Sequence, residues 1–582
     1  MKLKLTRLLI ICFVFHLNTF GSIAQTFRTP FEKNNLQSTS YTECIAFYKS
    51  LEKFSPLLKV VESGPSDVSY PIHTIVISGN KDFTPNRARQ SGKVVLLYNN
   101  GIHPGEPDGI DAAMSFARDL VTDSKYNLML KKIVLVIIPI YNVGGSLQRN
   151  SFTRANQNGP ESYGFRGNRQ NLDLNRDFIK CDSKNAETFT KIFHYWQPTI
   201  FLDSHTTDGA DYPYAMTLIS SQRQKMQKDL GQFMYEKFIP TFTKEMMDQG
   251  LETSVYVNAD NDPENGIYDF LDSPRFSSGY ANLFNTLSFV SESHMLKTHA
   301  VRVQAHQILM QSLANIAGSL KNELLQIKAL ANSNIKKMKT MPIDWEIQTD
   351  QFDSLIFKGY TQEKAKSSVT GLDRIKYNQN KPYIKKIPYY NYCKVTREVV
   401  KPDYYLVPAA YRSIIERLKW NAVIMRRLAR DTVVEAVYYR IAEFKSPAVP
   451  YENHFLHSSV KLDTLHTKRV FYKGDYIIST DQIAARFLVE TLEPEAPDSY
   501  FAWNFFDGIL QRKEYFSSYL FEETAQQILL ENPVLKLEFE TKKNSDPEFA
   551  KNPAAMLAYL YNKSAWSEPD FKIYPIARSF VN

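Results

Sequence analysis

A histidine and a glutamate stand three residues apart in Asn100-Gly101-Ile102-His103-Pro104-Gly105-Glu106-Pro107, directly after the apolar run Val94-Val95-Leu96-Leu97-Tyr98. In a loop bent by glycine and proline, residues i and i+3 can aim at one point. A neutral imidazole nitrogen and a carboxylate oxygen aimed at one point suit Zn²⁺, which in a catalytic site takes three protein ligands and keeps one position open. The pair is one ligand short. Its meaning depends on whether the chain also supplies a third ligand, an anion-binding group and a general base.

Candidates for each follow other apolar runs. Thr199-Ile200-Phe201-Leu202 leads into Asp203-Ser204-His205-Thr206-Thr207-Asp208, and Leu287-Ser288-Phe289-Val290 leads into Ser291-Glu292-Ser293-His294. In open α/β sheets ligands bind in the crevice outside the carboxyl ends of the strands, so His103, Glu106, His205 and Glu292 are expected to converge there. Between them lies Asn171-Leu172-Asp173-Leu174-Asn175-Arg176-Asp177, preceded by Gly164-Phe165-Arg166-Gly167. Arginine is suited to two-pronged recognition of a carboxylate, and Asn175 adds an amide donor beside it. Asp203 either orients an imidazole or caps the next turn. Asp173 and Asp177 either brace the arginine motif or are ordinary turn residues. His294 and His299 are read as structural or supporting, since no ligand position is left for them.

The elements that must position these residues show in the pattern. Strands are expected at 58–61, 73–77, 94–98, 133–140, 199–203 and 287–290, with helices at 42–51, 111–121, 186–196, across most of 222–247, and at 301–330. Continuous apolar strands alternating with helices predict an α/β fold, a mostly parallel mixed sheet flanked by helices. Residues 25–90 read as an accessory region or the start of the catalytic domain, and 91–335 as the catalytic domain itself. After the polar stretch 332–339 the character changes. Residues 340–582 carry tyrosine-rich strand-like segments at 389–392 and 404–407 and amphipathic helices at 409–417 and 521–530, which predicts a C-terminal α+β region without recognisable chemistry.

Composition sets the outer bounds. A chain of 582 residues, 43% hydrophobic and 23% charged, is ordinary globular material for two to four domains. The basic start, short apolar core and small residues of 1–24 read as a secretory signal peptide with cleavage near Ala24. Export to the periplasm or the extracellular space is therefore expected, without stable membrane insertion, because the apolar run is shorter than the ~20 residues that span a bilayer. The formal charge of +8 is scattered rather than clustered, so no nucleic-acid partner is expected. Cys44, Cys181 and Cys393 remain after the leader, an odd number that excludes a fully paired intramolecular set.

On these residues the chain resembles the zinc carboxypeptidase family (M14, the carboxypeptidase A-like metallopeptidases). The motifs are His103-x-x-Glu106, Asp173-Leu174-Asn175-Arg176, Asp203-Ser204-His205 and a late strand ending at Glu292, in the family's order. The resemblance implies one zinc ion held by His103, Glu106 and His205, a substrate carboxylate held by Asn175 and Arg176, and Glu292 as general base and acid. It also implies an arginine that polarises the scissile carbonyl, for which Arg166 is preferred over Arg154 and Arg149, and a lid tyrosine. Tyr280 is preferred to Tyr268 for that role, although neither has the family's spacing to Glu292. The implied function is an exported zinc-dependent metallocarboxypeptidase acting on peptides with a free C-terminus. The alternatives are a zinc amidase or deacylase acting on cell-wall peptides or acylated amino acids, and a non-enzymatic binding protein with a relic site. The oligomeric state stays open.

Overall fold

The computed structural model describes residues 27–258 and 262–580; the leader expected at 1–24 lies outside the described residues. At its centre is an eight-stranded mixed sheet of β1 (Leu58–Pro65), β2 (Pro71–Ile77), β3 (Val94–Asn99), β4 (Ile133–Ile138), β5 (Ile200–Thr207), β6 (Met216–Ser220), β7 (Thr253–Val255) and β9 (Leu287–His294), while β8 (Ile267–Tyr268) lies outside it. The strand order is β1-β2-β4-β3-β5-β9-β6-β7. The four central strands β4, β3, β5 and β9 run parallel, and β1, β2 and β6 join antiparallel. β1 and β2 therefore belong to this sheet, so the described residues 27–90 open it.

Register explains the two covering layers. Tyr98 stands opposite Leu202, and its hydroxyl donates to the Met310 carbonyl at 2.9 Å. Phe201, one residue along and so on the other face, packs against Phe189 with ring centroids 5.8 Å apart. Helices Asp108–Thr122 and His299–Ser319 thus cover one face and helix Lys184–Trp196 the other. Thr298 and Ser183 cap the second and third of these through the amides of Val301 and Ala186. The single helix expected over 301–330 is two, His299–Ser319 and Lys321–Lys337, broken after the weak helix formers Gly318 and Ser319.

Residues 340–580 are richer in strand than expected. They form the pair β10 (Thr340–Ile347) and β13 (Cys393–Val400), and a long hairpin of β11 (Asp353–Lys366) and β12 (Asp373–Tyr390) that β8 joins. A six-stranded sheet follows, ordered β15-β18-β14-β19-β16-β17, from β14 (Tyr404–Val407), β15 (Arg426–Arg427), β16 (Thr432–Lys445), β17 (Ser458–Phe471), β18 (Tyr476–Ser479) and β19 (Ala577–Ser579). Helices Ser518–Glu531, Pro533–Ser545 and Pro553–Asn562 close a small core of their own around Phe521, Phe539 and Leu560. The main core is continuous from the central sheet into this region through Tyr405, Ile414, Phe487 and Trp503. Helix Lys321–Lys337 passes to β10 within three residues. The two halves are therefore packed as one body rather than joined by a linker.

A buried charge cluster ties the sheet to its helices. Asp108 Oδ1 meets His299 Nδ1 at 2.6 Å and Asp108 Oδ2 meets Arg302 Nε at 2.8 Å, while His299 Nε2 lies 3.3 Å from Asp111 Oδ2. Thr206 Oγ1 and Ser293 Oγ, on β5 and β9, both donate to Asp108 Oδ2. Burial alone would lower the imidazole pKa of His299, but the bond to Asp108 and the nearby Asp111 carboxylate outweigh it and raise it to about 9. A folded pKa above the unfolded value of about 6.5 gives stability that is complete below that value and is lost as pH rises through about 9. Asp108 is shifted the other way, downward, so its contribution is lost only in acid. In urea titrations the wild type should lose about 3 kcal/mol between pH 6.5 and 9 that a His299→Gln variant does not lose; parallel curves for the two proteins would show that the pair does not stabilise the fold.

Candidate active site

The loop after β3 is shaped by glycine at two places. Gly101 has φ +65°, a conformation other residues adopt at a cost. A Cβ on Gly109 would lie 2.4 Å from Ser204 Cβ, so only glycine lets the first turn of helix Asp108–Thr122 lie against β5. Between them the Glu106 amide donates to the His103 carbonyl at 2.8 Å, which closes the turn that aims both side chains one way.

β5 and β9 bring the remaining groups. Both run further than the apolar pattern suggests, to Thr207 and His294, because their polar ends are still paired. In that pairing His205 is the direct partner of Glu292, which puts a candidate ligand and the candidate base side by side on one face.

The three candidate ligands meet. His103 Nδ1 lies 3.2 Å from His205 Nδ1 and 3.2 Å from Glu106 Oε1, and His205 Nδ1 lies 3.1 Å from Glu106 Oε2. Tetrahedral zinc with bonds of about 2.0–2.1 Å separates its ligand atoms by about 3.3 Å, so this triangle has the size the ion requires. The proton positions agree. His103 Nε2 lies 2.9 Å from Asp173 Oδ1 and His205 Nε2 lies 3.0 Å from Asp203 Oδ2. A carboxylate only accepts, so each Nε2 carries the proton and each Nδ1 offers a lone pair to the centre. Asp203 is itself held by Asn99 Nδ2 at 3.0 Å. The residues fit a zinc ion, and among the described residues this is the one cluster of three or more such ligands that converges.

Glu106 is held from outside the triangle by a cation and an amide. Arg154 Nη1 lies 2.8 Å from Glu106 Oε1, and the Thr206 amide donates to Glu106 Oε2 at 3.0 Å. Burial would raise the Glu106 carboxyl, but His103 and Arg154 hold it well below the usual carboxylate range. Burial would likewise lower the His205 imidazole, and Asp203 and Glu106 hold it well above its ordinary value.

A cavity of about 230 Å³ opens onto it, lined by the three ligands together with Arg166, Asn175, Arg176, Tyr256, Ser277 and Glu292 and with apolar walls from Ile219, Phe270, Phe276 and Val290. Burial pushes the Glu292 carboxyl up to about 8, with Glu106 and Asp208 adding repulsion and His205 and Arg166 opposing it. A bound dication would draw that value down again. Arg166 bridges the cavity rim, with Nη1 3.4 Å from Glu106 Oε1 and Nη2 2.9 Å from Asp173 Oδ2. Arg176 lays its guanidinium over the Phe276 ring at 4.5 Å. Asn175 Oδ1 accepts the Ser277 amide at 3.2 Å.

The structure separates the three candidate arginines. Arg149 is held away from the cavity by the carbonyls of Ser38, Thr39 and Ser162. Arg154 braces Glu106 and the Thr206 carbonyl from outside the lining. Arg166 alone of the three lines the cavity. The expectation for Tyr280 is corrected. It is wholly buried, its hydroxyl bonded to Asn421 Oδ1 at 2.6 Å and lying 2.9 Å from His194 Nε2, because helix Ser277–Asn282 turns it into the core against Phe189 and Phe193. Tyr268 is stacked on Tyr390, with ring centroids 4.5 Å apart. The tyrosine that lines the cavity is Tyr256, which sequence reasoning missed because nothing in Ser254-Val255-Tyr256-Val257 marks it.

Residues 44–233 match the model of the zinc carboxypeptidase family, a segment that holds the three ligands, Arg166, Asn175 and Arg176 and ends before Glu292. The central sheet with its flanking helices is a carboxypeptidase-like fold, to which the β-rich C-terminal region is added. Among solved structures, the metallo-carboxypeptidase from Pseudomonas aeruginosa in complex with (2-guanidinoethylmercapto)succinic acid is 14% identical, covering 49% of this chain and 70% of that one with a TM-score of 0.38. The carboxypeptidase A from Helicoverpa armigera is 16% identical, covering 49% and 74% with a TM-score of 0.37. The metallo-carboxypeptidase from Burkholderia cenocepacia is 16% identical, covering 50% and 70% with a TM-score of 0.36. No curated protein matches the chain. The family match supports a zinc metallopeptidase of carboxypeptidase type.

Replacing Asp203 with Asn takes the charge and one of two acceptor oxygens from the group that fixes the His205 ring and is held by Asn99. Zinc affinity should fall about 10- to 100-fold, as measured by competition with a chromophoric chelator; an affinity equal to wild type would show that Asp203 serves only the fold.

Proposed function

We propose that this protein is an exported zinc-dependent metallocarboxypeptidase that removes residues from the C-terminal ends of peptides. The observation that carries this reading is the convergence on one cavity of a zinc-sized donor triangle, a carboxylate and an arginine with free donors. Export is supported by the basic, apolar and small-residue run at 1–24; no helix among the described residues is long and apolar enough to cross a membrane.

His103, Glu106 and His205 would hold the ion. Bound there, zinc would supply Lewis acidity toward a carbonyl oxygen and toward water. The chain's own groups do the rest. Glu292 accepts a proton from the attacking water on a carboxylate oxygen and delivers it to the leaving amine, as suits a group whose pKa can be moved toward neutrality. Glu106 is tied up by Arg154, Thr206 and the two imidazoles, so it is not the proton carrier. Arg166, on the cavity rim, stabilises the negative charge that develops on the carbonyl oxygen. Arg176 receives the terminal carboxylate. Ile219, Phe270 and Val290 give the cavity an apolar wall beside these polar groups.

Two results test this reading. Glu292→Gln should bind zinc one to one yet lower kcat by about 10²–10⁴, measured on a peptide with a free C-terminus; near-normal turnover would remove Glu292 from the reaction. Amidating the C-terminus of the substrate should cost wild type about as much in kcat/KM as Arg176→Ala costs on the free peptide, on the order of a hundredfold or more. Full-rate cleavage of amidated peptides would assign the site to an endopeptidase or amidase instead.

A further inference from the structure

The turn between β16 and β17 reaches from the C-terminal sheet into the site. Tyr451 and His454 pair backbone to backbone, and Glu452 and Asn453 between them both have positive φ, 48° and 70°, as in a tight type I′ turn. The turn is locked at its sides. The Tyr451 ring lies nearly parallel to that of the wholly buried Trp503, the Arg275 guanidinium lies against both rings, and His454 Nε2 lies 2.8 Å from Asp182 Oδ2.

Its tip makes two bonds, both to residues of the candidate site. Arg176 Nε donates to the Tyr451 hydroxyl at 2.9 Å, and the Asp173 amide donates to Glu452 Oε2 at 2.9 Å. Asp173 is the carboxylate that orients His103. With Nε taken by Tyr451, Nη1 by the Asn175 carbonyl at 2.8 Å and one face by Phe276, the Arg176 guanidinium is fixed in plane and position. Its Nη2 makes no hydrogen bond among the described residues. An arginine bordering the cavity, held rigid with its Nη2 left over, is preorganised to donate to a carboxylate.

We propose that the turn at residues 451–454 completes the substrate clamp, with Tyr451 as the positioning residue for Arg176, so that residues 340–582 are part of the substrate-binding machinery rather than an appendage. The inference rests on the reading of Arg176 as the carboxylate-binding group. Holding Arg176 by Nε directs its remaining donors at a chain end, and the gain is in binding rather than in the chemical step.

Tyr451→Phe keeps the ring on Trp503 and removes only the hydroxyl. With zinc-loaded protein, KM for a free-carboxylate peptide should rise about tenfold with kcat within about twofold, and the slow cleavage of the amidated peptide should not change. The dissociation constant of 3-phenylpropanoate, measured by calorimetry, should rise by a similar factor. KM and this constant both within twofold of wild type would overturn the inference, as would a fall in kcat at constant KM. Calorimetry separates this inference from the proposed function. A wild type that binds 3-phenylpropanoate more tightly than Tyr451→Phe but releases no C-terminal residue supports the clamp and removes the peptidase reading. A wild type that binds no carboxylate overturns the clamp.

Discussion

The site depends first on the parallel register of β3, β5 and β9. Asn99 opposite Asp203, and His205 opposite Glu292, are backbone pairings, and each sets one chemical relation: a held carboxylate behind a ligand, and a base beside it. Because side chains in a sheet alternate with a period of two, a slip of one residue would send His205 to the face where Thr206 now bonds Asp108. The buried charge cluster on that face, Asp108 with His299 and Arg302, bonds both Thr206 and Ser293 and so joins the two strand ends at the level of the site.

Electrostatics then explain why so many charged groups tolerate one another under cover. His103, Glu106 and His205 are almost wholly buried, and each is met by a partner of complementary kind: Asp173 and Asp203 behind the imidazoles, Arg154 beside the carboxylate. Buried charge is expensive unless paired and hydrogen-bonded. Here pairing holds the imidazole nitrogens aimed inward. Glu292 has no such dedicated cation close by and is pushed upward by burial. The two glutamates of one cavity are therefore set for different work by their surroundings.

Much of this was legible in the sequence. The six strands expected in this sheet were found, and β3, β4 and β5 among them read as continuous apolar runs because they are buried on both faces. The ligand triad was legible because its members follow such runs. The apolar runs stop short of the polar ends of β5 and β9, where His205 and Glu292 are still paired in the sheet. Tyr280 was misplaced because spacing to Glu292 says nothing of which way a short helix turns its side chain. Tyr451 and Glu452 carried no local signal; they stand 275 and 279 residues from their partners Arg176 and Asp173.

The sequence by itself determined the chemical types and, for two imidazoles and two carboxylates, strand-end positions set by a local apolar pattern that short-range physics suffices to read. Only the tertiary structure decided which arginine faces the cavity, which carboxylate orients which histidine, which tyrosine lines the wall, and that a turn from the C-terminal sheet grips Arg176. Those are relations between side chains distant in sequence. They are fixed by packing and by the need to pair every buried charge, and no local pattern encodes them.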